Sequence, residues 1–115
     1  MNEESINRAV AQDKENCWHP FTRQSEWCAE EHQPVMIESA EGVWLKDMEG
    51  KRYIDGNASI WTNIHGHNHP KMNAALGEQL GRVAHSSYLG YGHPLASELA
   101  ARLCGFFPDL SLIHI

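Results

Sequence analysis

Apolar residues recur at helical spacing in the second half of the chain. Met72, Leu76, Leu80 and Val83 share one stripe of a 3.6-residue period, and Pro70 just before them suits the first position of a helix. This pattern predicts a helix that begins at Pro70. A second helix is predicted from Pro94, with its apolar stripe at Leu95, Leu99, Leu103 and Phe106.

A period of two marks a hairpin before these helices. In residues 43–46 valine and leucine alternate with tryptophan and lysine, so the two kinds of side chain take opposite faces of a strand. Residues 51–55 supply the second strand, and the Asp-Met-Glu-Gly link at 47–50 has the composition of a turn. The short apolar run at 35–37 indicates further β-structure.

The N-terminal third has weaker periodicity. Residues 1–16 are polar, with Ile6 and Val10 four positions apart, and predict an N-terminal arm or helix. Residues 17–34 carry two tryptophans but no clean period, which indicates an irregular, ordered segment. So few strands cannot cover two apolar helix stripes, and we therefore expect a piece of a larger protein.

Composition excludes some classes of function. The net charge is -6 and lysine and arginine together number 9, whereas a nucleic-acid partner requires a concentrated basic surface. No apolar run approaches the roughly 20 residues of a membrane helix, and the first residues do not resemble a secretory signal. The cysteines number 3, which argues against a disulfide framework. We expect a cytoplasmic protein with neither nucleic acid nor membrane as a partner.

His65, His67 and His69 alternate at a spacing that could place three imidazoles on one face of a strand. Gly66 and Pro70 interrupt a regular strand, however, and no carboxylate lies beside the histidines in the sequence. A structural or capping role is favoured over a metal site, and no metal is predicted. Residues and spacing alone do not determine the function.

Three motifs, taken in order, resemble the class III aminotransferases. They are Glu-Gly-Val-Trp-Leu at 41–45, the segment from Asp47 to Gly56, and His-Gly-His-Asn-His-Pro at 65–70. The resemblance implies an α/β fold, namely the N-terminal fragment of an aspartate-aminotransferase-like (fold type I) enzyme. It also implies pyridoxal 5'-phosphate as the cofactor, and a homodimer with active sites at the subunit interface.

Three further segments, 18–22, 59–61 and 84–90, narrow the resemblance to the branch of the class that acts on 8-amino-7-oxononanoate. These enzymes make 7,8-diaminononanoate in biotin biosynthesis, and the similarity covers residues 13–109. The usual amino donor of that branch is S-adenosylmethionine, and some relatives use lysine. The resemblance leaves the donor open.

Pocket residues follow from the resemblance, residue by residue. Phe21, Ile60 and Trp61 match positions that line the substrate pocket in the family. His85, Ser86, Ser87 and Tyr88 match a segment that approaches the pocket. Some members carry tyrosine where this chain has Phe21, and a tryptophan pair where it has Ile60 and Trp61. The missing phenol would remove one hydrogen bond to the substrate, worth on the order of 1 kcal/mol.

The resemblance also divides the chain. The expected parts are an N-terminal arm or helix (1–16), the N-terminal part of the small domain (17–69) and helices leading to the cofactor domain (70–109). On a separate ground, residues 110–115 are expected to be a non-native tail. The tail, Leu-Ser-Leu-Ile-His-Ile, is what one reading frame of a common transposase-based sequencing adapter encodes. The alternative is a genuine β-strand, because the same residues have strand composition. The family's Schiff-base lysine comes later than this segment, so no catalytic residue is predicted, and we expect the 115-residue chain alone to be inactive.

Two other functions remain open from the sequence. An ω-amino-acid:pyruvate aminotransferase belongs to the same class and can carry a similar Pro-Phe-Thr box. A small non-catalytic binding module is the alternative from a different class. Such a module should close its own core, and the apolar residues 106–115 speak against it.

Overall fold

The computed structural model describes residues 2–106, which form two compact units, one up to Asn73 and one from Ala74. The elements in chain order are α1 (Glu3–Asn16), α2 (Gln24–Trp27), β1 (Ile37–Glu41), β2 (Trp44–Asp47), β3 (Arg52–Ile54), α3 (Pro70–Arg82) and α4 (Pro94–Phe106). The expected non-native tail at 110–115 lies outside the described residues.

The sheet has three antiparallel strands in the order β1-β2-β3. Trp44 pairs with Ile54 in the predicted hairpin, which is confirmed, and the Arg52 guanidinium lies 4.4 Å from the centre of the Trp44 ring. Strand β1 begins at Ile37, at the end of the predicted apolar run rather than along it, and a register shift follows at its first residues.

The turn between β2 and β3 is built around Asp47, whose residue surface is 4% exposed. Its carboxylate accepts hydrogen bonds from the Glu49 and Lys51 N–H groups and from the Tyr53 hydroxyl. Burial alone would raise the pKa of Asp47, but these hydrogen bonds outweigh burial and lower the pKa below its usual value. The same contact with Asp47 raises the pKa of Tyr53. The turn is therefore fixed by charge as well as by backbone geometry.

Helix α1 begins at the Asn2 cap, whose side-chain oxygen accepts a hydrogen bond from the Ser5 N–H at 3.1 Å. The predicted pair Ile6 and Val10 lines a small cavity of about 130 Å³ together with Pro34 and Met48. The apolar side of this otherwise polar helix therefore faces the β2–β3 turn and the residues just before β1.

Helices α3 and α4 begin at the two predicted prolines, which confirms both starts. Their apolar stripes lie open: Leu76 is 62% exposed and Leu99 57%, although Leu103 is half-buried. No large hydrophobic side chain is buried within residues 2–106. None of the helices in this range combines the length and apolar character needed to cross a membrane.

Candidate functional site

One turn of left-handed helix, Ala58–Trp61, follows the hairpin. The φ angles of its four residues lie between 49° and 66°. The Trp61 N–H donates to the Asn57 carbonyl at 2.8 Å and the Thr62 N–H to the Ala58 carbonyl at 3.1 Å, as in one turn of a helix of the opposite hand. This conformation costs L-residues about 1–2 kcal/mol each, and β-branched Ile60 is among the residues least suited to it. Such strain persists where the surroundings hold it, and it is concentrated at functional sites.

The turn displays two large apolar side chains. Ile60 is 65% exposed and Trp61 82% exposed. These are two of the three residues that the resemblance places in the substrate pocket. Exposed apolar side chains on a rigid turn can form the wall of a binding site.

Phe21, the third predicted pocket residue, has the same combination of features. Its φ is 54° and its side chain is fully exposed. The Thr22 hydroxyl donates to the Pro20 carbonyl at 3.0 Å, which closes the bend that carries the phenyl ring. All three predicted residues are thus apolar, exposed and held in a left-handed backbone conformation, and their binding role stays a prediction.

Asp55, at the end of the hairpin, anchors the left-handed turn. Its Oδ1 accepts from the Ser59 N–H at 2.9 Å, and its Oδ2 accepts from the Ser59 hydroxyl at 2.8 Å. His67 Nε2 lies 2.8 Å from the same Oδ2, and the Asp55 side chain is 6% exposed. The Ser59 N–H, then the Ser59 hydroxyl, and to a lesser extent His67, hold the pKa of Asp55 below its ordinary value against the opposing effect of burial.

His67 reaches Asp55 because two glycines bring distant backbone segments together. Gly42 and His67 exchange backbone hydrogen bonds of 3.0 and 2.7 Å. Gly66, at φ 79°, lies so close that an added Cβ would be 3.1 Å from the Gly42 carbonyl oxygen. A side chain at Gly66 would therefore meet both backbone strain and a crowded neighbour.

We expect Gly66→Ala to destabilise this region by about 1–3 kcal/mol, because alanine is strained at positive φ and its methyl meets backbone that cannot turn aside. Gly77→Ala is the matched control: Gly77 lies in α3, where an added Cβ meets no atom within 4 Å. Hydrogen exchange of the His67 amide measures the effect. Equal exchange in the two variants would contradict the expectation.

A second polar cluster holds the segment that carries Phe21. The Asp13 carboxylate of α1 accepts from Trp27 Nε1 at 3.1 Å and lies 2.9 Å from His19 Nε2. The His19 and Trp27 rings stack with centroids 4.0 Å apart. Lys14 donates to the carbonyls of Ala29 and His32 at 2.7 and 2.6 Å. Helix α1 thus fastens both ends of the irregular segment.

The predicted approach residues lie in the unit that begins at Ala74. His85, Ser86, Ser87 and Tyr88 are exposed and lie between α3 and α4. Ser86 contributes to a groove of about 330 Å³ with Arg82, His93 and Leu95. Whether these residues approach the substrate pocket stays a prediction.

The structural roles of two carboxylates, Asp55 beside the left-handed turn and Asp13 in the second polar cluster, were not predicted from the sequence. The His67 partner that seemed absent is Asp55, 12 residues earlier in the chain. The position of Asp55 at a strand end, followed four residues later by Ser59, was the available signal. Within residues 2–106, no cluster of three or more histidine, cysteine or acidic side chains is arranged to hold a metal.

Three of the four lysines have contacts of their own within the described residues. Lys14 binds carbonyls, Lys46 lies 3.6 Å from Glu38, and Lys51 lies over the Tyr53 ring.

Comparison with known proteins gives consistent matches. The model of the aminotransferase class-III family matches residues 27–114. The curated adenosylmethionine-8-amino-7-oxononanoate aminotransferase of Geobacter sulfurreducens is 49% identical over 84% of this chain, which spans 21% of that enzyme. Further curated relatives at 36% identity and above carry the same name.

Solved structures agree. The adenosylmethionine-8-amino-7-oxononanoate aminotransferase of Methanocaldococcus jannaschii superposes with a TM-score of 0.82 at 35% identity, covering 90% of this chain and 23% of that one. An (S)-enantioselective omega-transaminase of Thermomicrobium roseum gives a TM-score of 0.79 at 38% identity, with the same coverage of both chains. The segment has the fold of the corresponding part of these fold type I enzymes, and the chain belongs to the class III aminotransferases.

Proposed function

We propose that this chain is the substrate-pocket segment of a pyridoxal-phosphate aminotransferase that converts 8-amino-7-oxononanoate to 7,8-diaminononanoate. The observation that carries the proposal is 49% identity to a curated enzyme named for that substrate, over 84% of the chain. The exposed side chains and left-handed backbone of Phe21, Ile60 and Trp61 support it, because exposed apolar side chains on a strained backbone are typical of binding sites.

In this proposal Phe21, Ile60 and Trp61 form apolar walls around the carbon chain of the substrate. This nine-carbon amino acid presents a run of methylenes, each worth about 0.8 kcal/mol when buried. Pyridoxal phosphate, when bound, supplies the amino-transfer chemistry; its lysine belongs to the part of the enzyme beyond residues 2–106. The assembled protein is a cytoplasmic homodimer, and S-adenosylmethionine is the proposed amino donor.

An omega-transaminase is the second candidate, and one observation favours it. The Thermomicrobium roseum enzyme is 38% identical, slightly more than the 35% of the solved Methanocaldococcus jannaschii enzyme. Such an enzyme would pass an amino group to a smaller keto acid such as pyruvate. The two candidates differ in the length of the apolar acceptor that the pocket must hold.

A chimaeric enzyme tests the proposal. Residues 2–106 of this chain replace the aligned segment of the Geobacter sulfurreducens enzyme, which supplies the remaining residues. We expect the chimaera to bind pyridoxal phosphate, with its absorbance band, and to aminate 8-amino-7-oxononanoate within about tenfold of the parent kcat/KM. S-adenosylmethionine and lysine are compared as donors under the same conditions.

The outcomes separate the candidates. Amination of 8-amino-7-oxononanoate with little use of pyruvate supports the biotin-pathway function. A chimaera that carries the cofactor and prefers pyruvate as acceptor overturns that function in favour of the omega-transaminase. A chimaera that carries the cofactor and accepts neither substrate rejects both.

A further inference from the structure

We propose that Asp55 is a positioning residue that holds the Ala58–Trp61 turn in its left-handed conformation and thereby aims Ile60 and Trp61 into the substrate pocket. The inference rests on the proposed function, because it assigns to a residue outside the pocket the control of two side chains within it. Asp55 itself touches neither substrate nor cofactor in this role.

The geometry of the turn shows what Asp55 does. Its two carboxylate oxygens accept hydrogen bonds from the second residue of the turn, one from the Ser59 N–H and one from the Ser59 hydroxyl. A single acceptor would fix the distance to Ser59, whereas two fix its orientation as well. Asp55 is itself held, since its N–H donates to the Val43 carbonyl at 2.9 Å in the hairpin and His67 Nε2 contacts its Oδ2.

The turn requires a contact from outside, because its own backbone hydrogen bonds do not favour the left-handed over the right-handed conformation. The hydrogen bonds of Trp61 and Thr62 to earlier carbonyls are equally available to a right-handed turn, which costs L-residues less. Glycine would remove the penalty, yet all four positions carry side chains. Two side-chain contacts act on the turn: the Thr62 hydroxyl donates to the Ser59 carbonyl at 3.1 Å from the residue after it, and Asp55 binds Ser59 from the hairpin before it. Of these, only the Asp55 contact ties the turn to the rest of the fold. Without it, we expect the turn to relax and Ile60 and Trp61 to point elsewhere.

His67 completes the arrangement from the opposite side. Its imidazole is 18% exposed and is brought to Asp55 by the close approach of Gly66 and Gly42. The contact keeps the Asp55 carboxylate from turning towards solvent. Three chain segments, the hairpin end, the turn and the 65–70 loop, therefore meet on one carboxylate.

The chimaeric holoenzyme carries the test. Asp55→Ala should raise KM for 8-amino-7-oxononanoate about tenfold or more, because displaced Ile60 and Trp61 side chains would no longer bury the methylenes of the substrate. The cofactor absorbance band should be unchanged. Asp55→Asn keeps an acceptor for the Ser59 N–H, and its amide nitrogen can donate to the Ser59 hydroxyl oxygen. Because both contacts can form, we expect it to restore most of the lost affinity. Ser59→Ala removes only the hydroxyl bond and should raise KM by a few-fold.

Asp47→Ala is the matched control. Asp47 is also a shielded hairpin carboxylate that accepts two backbone N–H groups and a side-chain hydroxyl, but it serves the β2–β3 turn. Both alanine variants should lower the thermal midpoint. Only Asp55→Ala should raise KM, because only Asp55 contacts the left-handed turn.

Hydrogen exchange of the amides of residues 61–63 supplies a readout that does not require activity. Faster exchange in Asp55→Ala than in Asp47→Ala supports the inference even if the unmutated chimaera fails to use 8-amino-7-oxononanoate, a failure that would count against the proposed function alone. Equal exchange in the two variants overturns the inference. So does an Asp55→Ala enzyme whose KM matches that of Asp47→Ala, or an Asp55→Asn enzyme as impaired as the alanine variant.

Discussion

Replacing Trp61 by alanine should lower kcat/KM for 8-amino-7-oxononanoate about 100-fold in the chimaeric enzyme. The indole is 82% exposed in this chain, so its surface is available to a substrate. Burying a tryptophan removes roughly 150–250 Å² from water. At about 25 cal/mol per Å² this gives an upper value of about 4–6 kcal/mol, and recovering half of it in the bound state corresponds to about two orders of magnitude.

Trp44→Ala is the control for loss of an indole. Trp44 lies on β2 beneath the Arg52 guanidinium, and its contacts are within the sheet. Its removal should cost about 0.5–1 kcal/mol of stability and leave the kinetics unchanged. If Trp61→Ala and Trp44→Ala show the same kcat/KM, Trp61 does not line the pocket.

Local patterns in the sequence were enough to predict the regular elements. Alternation at 43–46 and the turn residues at 47–50 gave the hairpin, and two prolines gave the starts of α3 and α4. These features depend on neighbours a few residues away. The same reasoning predicted that Leu76 and Leu99 lie on apolar stripes, but not that both side chains would be exposed within residues 2–106.

The backbone conformation of the predicted pocket residues could not be predicted from the sequence. Nothing in the run Ala-Ser-Ile-Trp at 58–61 indicates positive φ, since alanine, isoleucine and tryptophan all disfavour it. In the proposal above the conformation depends on Asp55, which contacts His67 12 residues later in the chain. Resemblance to a family could name Phe21, Ile60 and Trp61 as pocket residues, but the forces that hold them required coordinates.

The contacts that join α1 to the irregular segment 17–34 were not predicted, for the same reason. Lys14 looked like an ordinary charge on a polar helix, yet its ammonium binds two carbonyls 15 and 18 residues away. Asp13, its neighbour, binds His19 and Trp27. Contacts at such separations leave no periodic trace in a sequence.

Lys14→Met should loosen the attachment of residues 28–32 to helix α1. Methionine keeps most of the side-chain stem but cannot donate to the Ala29 and His32 carbonyls. Hydrogen bonds from charged groups contribute about 1.5–3 kcal/mol each. Ala29 retains a bond from the His32 N–H, so the net loss should be about 2 kcal/mol. Amide exchange in residues 28–32 of the chimaera should then quicken by about 30-fold.

Lys46→Met provides the comparison, because it removes the same charge from a weaker pair. Lys46 lies 3.6 Å from Glu38 and both side chains are substantially exposed, so its loss should cost less than about 1 kcal/mol. Exchange in residues 28–32 should stay as in the unmutated chimaera. Similar exchange in the two methionine variants would mean that the carbonyls of Ala29 and His32 gain as much from water as from Lys14, and that the segment carrying Phe21 is held by the Asp13 cluster alone.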